Sequence, residues 1–418
     1  MSILLSHPTG NTFVRNALIA LKQENRLREF VTTVATFESN AFGTLSKLPG
    51  GSELARRAYP ESIQDLTHQA PLNELIRMIA PKIGLSALTR HETGAFCVDK
   101  IYQEIDRVAA KRTHALSPNL QATYCYEDGA LETFKAAQEL HLKRIYDLPI
   151  GYWRMAGKIQ REEAERRPEW ASTMPALQDS ETKLARKDEE LQMTDAIIVA
   201  SQFTASTLKA APFELPTPYI VPYGCPKVQI DQPEVSDPSK VLKVLYVGGL
   251  SQRKGLSYLL DAVVPLGSSV ELTLIGKRVA DCKPLDAALQ SYNWIESLPH
   301  HEILSTMRAH DVLVFPSLFE GFGLVLTEAL SQGVPIISTP HTCAPDLITD
   351  GKEGFIVPIC DANAITDCLT RLSEDRVLLQ RMKCQALETA RAHTWENYRN
   401  GIIAATHAIL KKPNLPES

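Results

Sequence analysis

The chain has 418 residues, with 44 Lys and Arg against 49 Asp and Glu and a formal net charge of −5. A hydrophobic fraction of 44% beside 22% charged residues excludes a disordered or collagen-like chain, and the length allows two or three domain cores. The weak acidity argues against a nucleic-acid partner held by bulk electrostatics.

Ile3–Ser6 is a short apolar run closed by His7-Pro8-Thr9-Gly10-Asn11. Phe13, Ala17, Leu18 and Leu21 follow with helical spacing, and residues 30–35 read as a second strand, an order that opens many α/β sheets. Residues 45–116 are rich in Arg, Leu and Ala, are interrupted by Pro49, Pro60, Pro71 and Pro81, and predict a mainly helical elaboration. Strands are predicted at 121–126 and 144–148, with a helix at 129–140 between them. The charge-rich stretch 160–192 predicts a solvated helix face rather than a binding patch. Residues 196–200 read as a buried strand, and Ser201 as the cap of a helix running to 208. Residues 211–240 carry Pro at seven positions, which predicts an interdomain linker. Beyond it strands and helices alternate: strands at 243–247, 270–275, 311–315 and 334–338, helices at 255–264, 302–309 and 324–332. Such alternation implies a parallel sheet covered on both faces. Trp395–Lys411 predicts a last amphipathic helix.

The eight cysteines show no zinc or redox spacing, and most stand beside apolar residues, so they are expected to be reduced thiols packed as small hydrophobes. The N-terminus lacks the basic region and apolar length of a signal peptide, and no apolar stretch is long enough to span a bilayer. The expectation is a soluble, cytoplasmic protein, with peripheral membrane contact left open.

Ligands of an open parallel sheet bind beyond the carboxyl ends of its strands, and three segments there are chemically suggestive. In Gly248-Gly249-Leu250-Ser251-Gln252-Arg253-Lys254-Gly255, two glycines admit close backbone approach, and two cations precede a helix N-terminus that suits an anion. A phosphate cradle and a plain turn with surface cations fit these residues equally well. In Phe319-Glu320-Gly321-Phe322-Gly323-Leu324, continuing to Glu328, two carboxylates can accept hydrogen bonds from sugar hydroxyls while Gly321 and Gly323 leave N–H groups open. Helix capping explains one of the glutamates, but not both. Gly276-Lys277-Arg278 ends a third strand and reads as a surface turn or a flank for a base or ribose.

These motifs resemble the donor-binding half of the family 4 retaining glycosyltransferases. The resemblance rests on Glu320 and Glu328 in EGFGLVLTE, the following ALSQGVPIIST, DGKEGFIVP at 350–358, and the turn ending in Arg253-Lys254-Gly255. It covers about 241–395 strongly and the first half weakly. It implies a GT-B fold of two Rossmann-like domains facing across a cleft. Residues 1–223 would form the acceptor domain, 224–395 the donor domain, and 396–418 a helix crossing back to the first domain plus a tail. It also implies a nucleotide-diphosphate sugar as donor, Glu320 at the transferred sugar, Glu328 at the ribose, and Arg253 and Lys254 at the departing diphosphate. Gly10 would approach the donor phosphates, and no metal or cofactor is implied.

Two departures from the family pattern stand out. Gly249 occupies a position where many members carry Arg, and 124–129 lacks a His that many place near the transferred sugar. Glu127 or Asp128 would substitute there, with His7 and Asn11 as further acceptor-side candidates, although an Asp-Gly turn capping the next helix fits equally well. His300 and His301 read as helix-cap residues near the nucleotide base. The implied reaction is sugar transfer to an acceptor hydroxyl of a carbohydrate, lipid or small molecule. A nucleotide-sugar epimerase of the same fold and a non-catalytic nucleotide-sugar-binding partner are the alternatives.

Overall fold

The computed structural model describes residues 2–48, 51–233 and 241–411. Part of the proline-rich linker (234–240) and the tail (412–418) lie outside the described residues. Two all-parallel sheets organise the chain. The first contains β1 (Ile3–Ser6), β2 (Leu27–Thr32), β3 (Thr67–Gln69), β4 (Ala122–Tyr126), β5 (Lys143–Leu148), β6 (Ala196–Val199) and β7 (Tyr219–Ile220), in the order β3-β2-β1-β4-β5-β6-β7. The second contains β8 (Leu242–Val247), β9 (Val270–Ile275), β10 (Asn293–Ile295), β11 (Val312–Phe315), β12 (Ile336–Ser338) and β13 (Gly354–Ile356), in the order β10-β9-β8-β11-β12-β13. The central strands read as continuous apolar runs because helices cover both of their faces; Leu5, for example, is fully buried between Phe30 and Tyr124.

The expected α/β architecture holds, with differences at the sheet edges. β3 lies inside the stretch read as helical, and β7 lies inside the stretch read as linker, where it pairs with Ile198 and Val199. Both are only two or three residues long, so they carry no periodicity. The cysteines are free thiols, five of them buried. Among the described residues no helix is long and apolar enough to cross a membrane.

The strand order reverses between β1 and β4 in the first sheet and between β8 and β11 in the second. At such switch points the connections leave in opposite directions and open a crevice beyond the strand ends. The segments after β1, β4, β8 and β11 hold His7, Glu127, Arg253 and Glu320, so topology alone directs the candidate residues toward two crevices.

The two halves dock closely. Phe319, in the loop after β11, is buried against Phe203 of the first half, with ring centroids 5.5 Å apart. The Gly321 carbonyl accepts hydrogen bonds from Ser201 Oγ (2.6 Å) and Thr204 Oγ1 (2.8 Å). The charge-rich stretch 160–192 is not simply a solvated face. Its helices Trp153–Arg166 and Glu181–Gln192 bury Gln160, Glu163, Lys187 and Glu190. Charge count misses this because a buried charge with a partner looks the same in sequence as an exposed one.

The chain crosses between halves twice, and the crossings run side by side. Cys225 N donates to His393 O at 2.7 Å, Cys225 and Thr394 form a parallel bridge, and a Cβ on Gly224 would lie 2.3 Å from Trp395 N. After the second crossing, Trp395–Lys411 packs on the first half, where Arg399 donates to Asn16 at 2.9 Å and Tyr398 is buried beside Tyr223.

Beneath the first sheet, Asp147 is buried and accepts from the Tyr124 hydroxyl at 2.6 Å. Burial pushes its carboxyl up to about 7, against the pull of the Tyr124 and Tyr126 hydroxyls. Between about pH 4 and 7 the folded protein therefore holds a proton that the unfolded chain has lost, so stability falls as pH rises through that window. Asp147→Asn should remove this dependence, roughly 2–3 kcal/mol between pH 5 and pH 8, seen as a smaller loss of denaturant midpoint across that range than in the parent.

Candidate functional site

The site in the second half is built on the β8–β11 switch point. After β8 the chain makes a tight turn, Gln252–Lys254, and enters the helix Leu256–Val263 through Gly255. Gly255 has φ +70°, and an added Cβ would lie 1.9 Å from Pro316 O, so only glycine lets this turn press against the loop after β11. The contact is fixed by Leu318 N donating to Arg253 O at 2.9 Å. Gly255→Ala should separate the two segments and cost about 1–3 kcal/mol of stability, read as a lower denaturant midpoint, through left-handed strain and the clash together. Gly276 does the same for β9, since a Cβ there would meet Gly248 O at 1.8 Å.

This packing brings three charges together. The Glu320 carboxylate contacts the Lys254 ammonium and lies 3.4 Å from Arg253 Nη1. Arg253 Nη1 also donates to Phe319 O at 2.6 Å, and the Lys254 ammonium stands 4.8 Å from the Phe315 ring centre. Burial acts to raise the Glu320 carboxyl, but Lys254 and Arg253 outweigh it and hold the group below the usual carboxylate range. Burial also pulls the Lys254 ammonium down, partly offset by Glu320. Two cations against one carboxylate leave surplus positive charge in a poorly solvated place, the arrangement that stabilises an arriving or developing anion.

The other second-half candidates lie around this cluster. Gly248 (φ +155°) and Gly249 continue β8, and the nearest atom to a Cβ on Gly249 is Val279 Cγ2 at 3.5 Å, so a side chain would fit there. Lys277 is exposed. Gly323 (φ +90°) caps the helix Leu324–Ser331, with Leu324 half-buried at its start. Glu328, in that helix, bonds His300 Nε2 at 2.9 Å, and this bond raises the imidazole against the effect of its burial. His300 opens the helix His300–Arg308 as the sequence suggests; its contact with Glu328 is additional, while His301 is exposed. Two residues differ from expectation. Phe322 is a core residue, 5.0 Å from the Tyr223 ring. Gly321 serves interdomain packing, since a Cβ there would meet Pro149 O at 1.9 Å.

In the first half, Glu127 and Lys187 are ion-paired at 3.0 Å, and Asp128 reaches the same ammonium at 3.3 Å. Burial and Asp128 raise Glu127 while Lys187 lowers it, leaving the carboxyl at about 7. Glu127 and Lys187 line an interdomain cavity of about 540 Å³ with Trp153, Gln160, Arg253 and Phe319. Thus Arg253 shares this cavity with Glu127 and Lys187. A larger cavity, about 720 Å³, lies behind it in the first half and includes Asp128 and Lys183. Beside these, His91, Glu92 and Asp179 converge, but Lys183 already neutralises Asp179 at 2.9 Å.

Of the remaining first-half candidates, His7 and Gly10 are covered by aromatic side chains and Asn11 is exposed. His7 is buried among Phe13, Tyr102 and Tyr126, and burial pushes its imidazole down to about 3, so it is neutral. Gly10 is covered by Tyr59, whose hydroxyl would lie 2.0 Å from an added Cβ. Asn11 is exposed at the start of the helix Thr12–Gln23 without capping it through its side chain.

Sequence reasoning missed the support beneath the turn. Glu163 is buried and accepts from Gln252 Nε2 at 2.6 Å and from the Tyr258 hydroxyl at 2.9 Å. Gln252 N donates to Thr173 Oγ1 at 2.9 Å. The residue immediately before Arg253 is therefore clamped from the first half of the chain. The only signal in sequence was Glu163 itself, one acid among many.

Residues 228–389 match the family model described as "Glycosyl transferases group 1". The phosphatidyl-myo-inositol mannosyltransferase of Mycobacterium leprae is 29% identical over 173 residues, 40% of this chain and 46% of that protein. The chain spans less than half the length of the first curated relatives it matches (36% and 46%). Among solved structures, sucrose-phosphate synthase from Thermosynechococcus elongatus superposes with a TM-score of 0.63 at 17% identity, covering 98% of this chain and 99% of that one. Anabaena HepE in complex with UDP and glucose gives 0.62 at 15% identity, covering 98% and 100%. The fold is GT-B: two Rossmann-like halves face across a cleft, and the last helix returns to the first.

Proposed function

We propose that this protein is a retaining glycosyltransferase of family 4 type that moves a hexosyl group from a nucleotide-diphosphate sugar to an acceptor hydroxyl without a metal ion. The convergence of Arg253 and Lys254 on Glu320 at the β8–β11 switch point carries this reading. Breaking the anomeric C–O bond moves its electron pair onto the diphosphate while the sugar gains oxocarbenium character. Fixed cations that already carry surplus charge stabilise the first, and a carboxylate stabilises or orients the second. In this reading Gly248, Gly249, Gly276 and Lys277 border the nucleotide, Gly323 and Leu324 present the helix N-terminus, and Glu328 meets the ribose. Residues 1–223 supply the acceptor side and 224–395 the donor side. The mannosyltransferase relative and the UDP and glucose complex support the class of donor.

A thermal-shift screen against UDP-, GDP- and ADP-sugars, followed by product analysis, tests the proposal. The expected result is a shift by at least one nucleotide sugar, with slow donor hydrolysis and transfer on a matching acceptor. An epimerised donor without hydrolysis, or tight binding without turnover on any acceptor, would replace it by one of the two alternatives. On the acceptor side, Glu127 is assigned the hydrogen bond to a sugar hydroxyl. Its carboxyl at about 7 then predicts kcat/KM rising with pH through neutrality as the group ionises. Glu127→Gln should flatten that limb.

A further inference from the structure

The helix Trp153–Arg166 turns one face toward the junction of the two halves, with Trp153, Ala156, Gln160 and Glu163 following along it at helical spacing. Glu163 is taken up by Gln252 and Tyr258 of the second half. Trp153, Ala156 and Gln160 line the interdomain cavity of about 540 Å³ that Arg253 also lines. Gln160 therefore stands one helical turn from the clamp on the residue that precedes Arg253.

Gln160 is only 1% exposed, and neither its Nε2 nor its Oε1 has a hydrogen-bond partner in the protein. No other side-chain amide among the described residues is buried with both ends unpaired. Such a group lowers stability, because its desolvation is not compensated. The charged groups that line the same cavity are all paired. His91 and Lys183 are held by Asp179 at 3.1 and 2.9 Å, Glu127 by Lys187 at 3.0 Å, and Arg253 by Phe319 O and Glu320. The group left over is neutral, with a donor end and an acceptor end. A phosphate or a carboxylate only accepts and would leave Oε1 unmet. Two neighbouring hydroxyls meet both ends, one accepting from Nε2 and the other donating to Oε1.

We propose that Gln160 holds two neighbouring hydroxyls of a saccharide acceptor in the interdomain cavity and so selects that acceptor. The proposal rests on the transfer reading and deepens it by naming the acceptor class. The acceptor is favoured over the transferred sugar because Gln160 shares its half of the chain and its cavity with Glu127, the residue assigned to an acceptor hydroxyl. A few fixed polar groups in a cavity wall are what orient a bound ligand.

The probes are the methyl α-D-pyranosides of mannose, glucose and galactose, with binding followed by saturation-transfer difference NMR in the presence of UDP. At least one is expected to bind the parent, and Gln160→Met should weaken it at least about tenfold while calorimetric UDP affinity is kept. Monodeoxy forms of that glycoside close a thermodynamic cycle. Removing either of two adjacent hydroxyls should weaken binding to the parent severalfold and change binding to Gln160→Met little. The denaturant midpoint of Gln160→Met should hold or rise, since an unpaired buried amide is replaced by an apolar chain. Gln160→Leu repeats both measurements if methionine disturbs the helix. A lower midpoint in both variants reveals a protein partner for the amide and overturns the proposal. So do equal deoxy effects in parent and variant, and so does a weaker nucleotide-sugar affinity with UDP affinity kept, which moves the amide to the transferred sugar. A parent that binds UDP but none of the glycosides removes this proposal alone, whereas a parent that binds no nucleotide removes the transfer reading and this one with it.

Discussion

Replacing Lys254 with alanine is expected to lower donor turnover about 10²–10³-fold, as removal of one preorganised group facing a developing charge does elsewhere. The variant should still fold, because the turn that carries Lys254 is fixed by other groups, Leu318 N on Arg253 O at 2.9 Å and Gln252 N on Thr173 Oγ1 at 2.9 Å. Glu320 would keep Arg253 as a partner at 3.4 Å, so the carboxylate is not stranded. Glu320→Gln is the complementary change. It leaves Lys254 and Arg253 without their shared anion, and nucleoside-diphosphate affinity should hold or rise while turnover falls by a similar factor. Single-turnover rates beside calorimetric UDP affinities check both statements. Parent-like rates in either soluble variant would remove this cluster from the chemistry.

Glu163→Ala is expected to be costly in a different way. The side chain is buried between the halves and receives hydrogen bonds from Gln252 and Tyr258, with Arg166 Nη1 at 2.8 Å. Its removal takes the carboxylate from the Tyr258 hydroxyl and leaves the Gln252 amide with Ser257 Oγ at 2.7 Å. Loss of such a buried charged acceptor costs about 3 kcal/mol, read as a lower denaturant midpoint. Because Gln252 precedes Arg253, kcat/KM should also fall about tenfold, and Glu163→Gln, which keeps an acceptor oxygen, should recover most of it. A purely structural role would lower the midpoint while leaving UDP affinity and kcat/KM in the folded fraction at parent values.

Much of the second half was legible because its signals are local. β9 and the helix at 324–332 follow from apolar runs bounded by glycine, and Arg253, Lys254 and Glu320 stand beside strand ends where topology directs ligands. The first half was harder to read for physical reasons. Tyr59 over Gly10 and Lys187 against Glu127 are contacts between residues 49 and 60 positions apart in sequence, and no periodicity encodes them. His7 looked available because histidine follows a strand; its aromatic surroundings come from three separate elements. β3 and β7 are edge strands too short to alternate.

The paired crossings at Gly224–Cys225 and His393–Trp395 carry a mechanical consequence. Two chain segments bonded edge to edge resist shearing and splaying yet permit bending across their common width. Bending across that width is the relative movement these contacts oppose least, as a door turns on a strip hinge, whereas sliding one half past the other would break them. A bulky residue in place of Gly224 would wedge the leaf against Trp395 and jam the swing far from either lining.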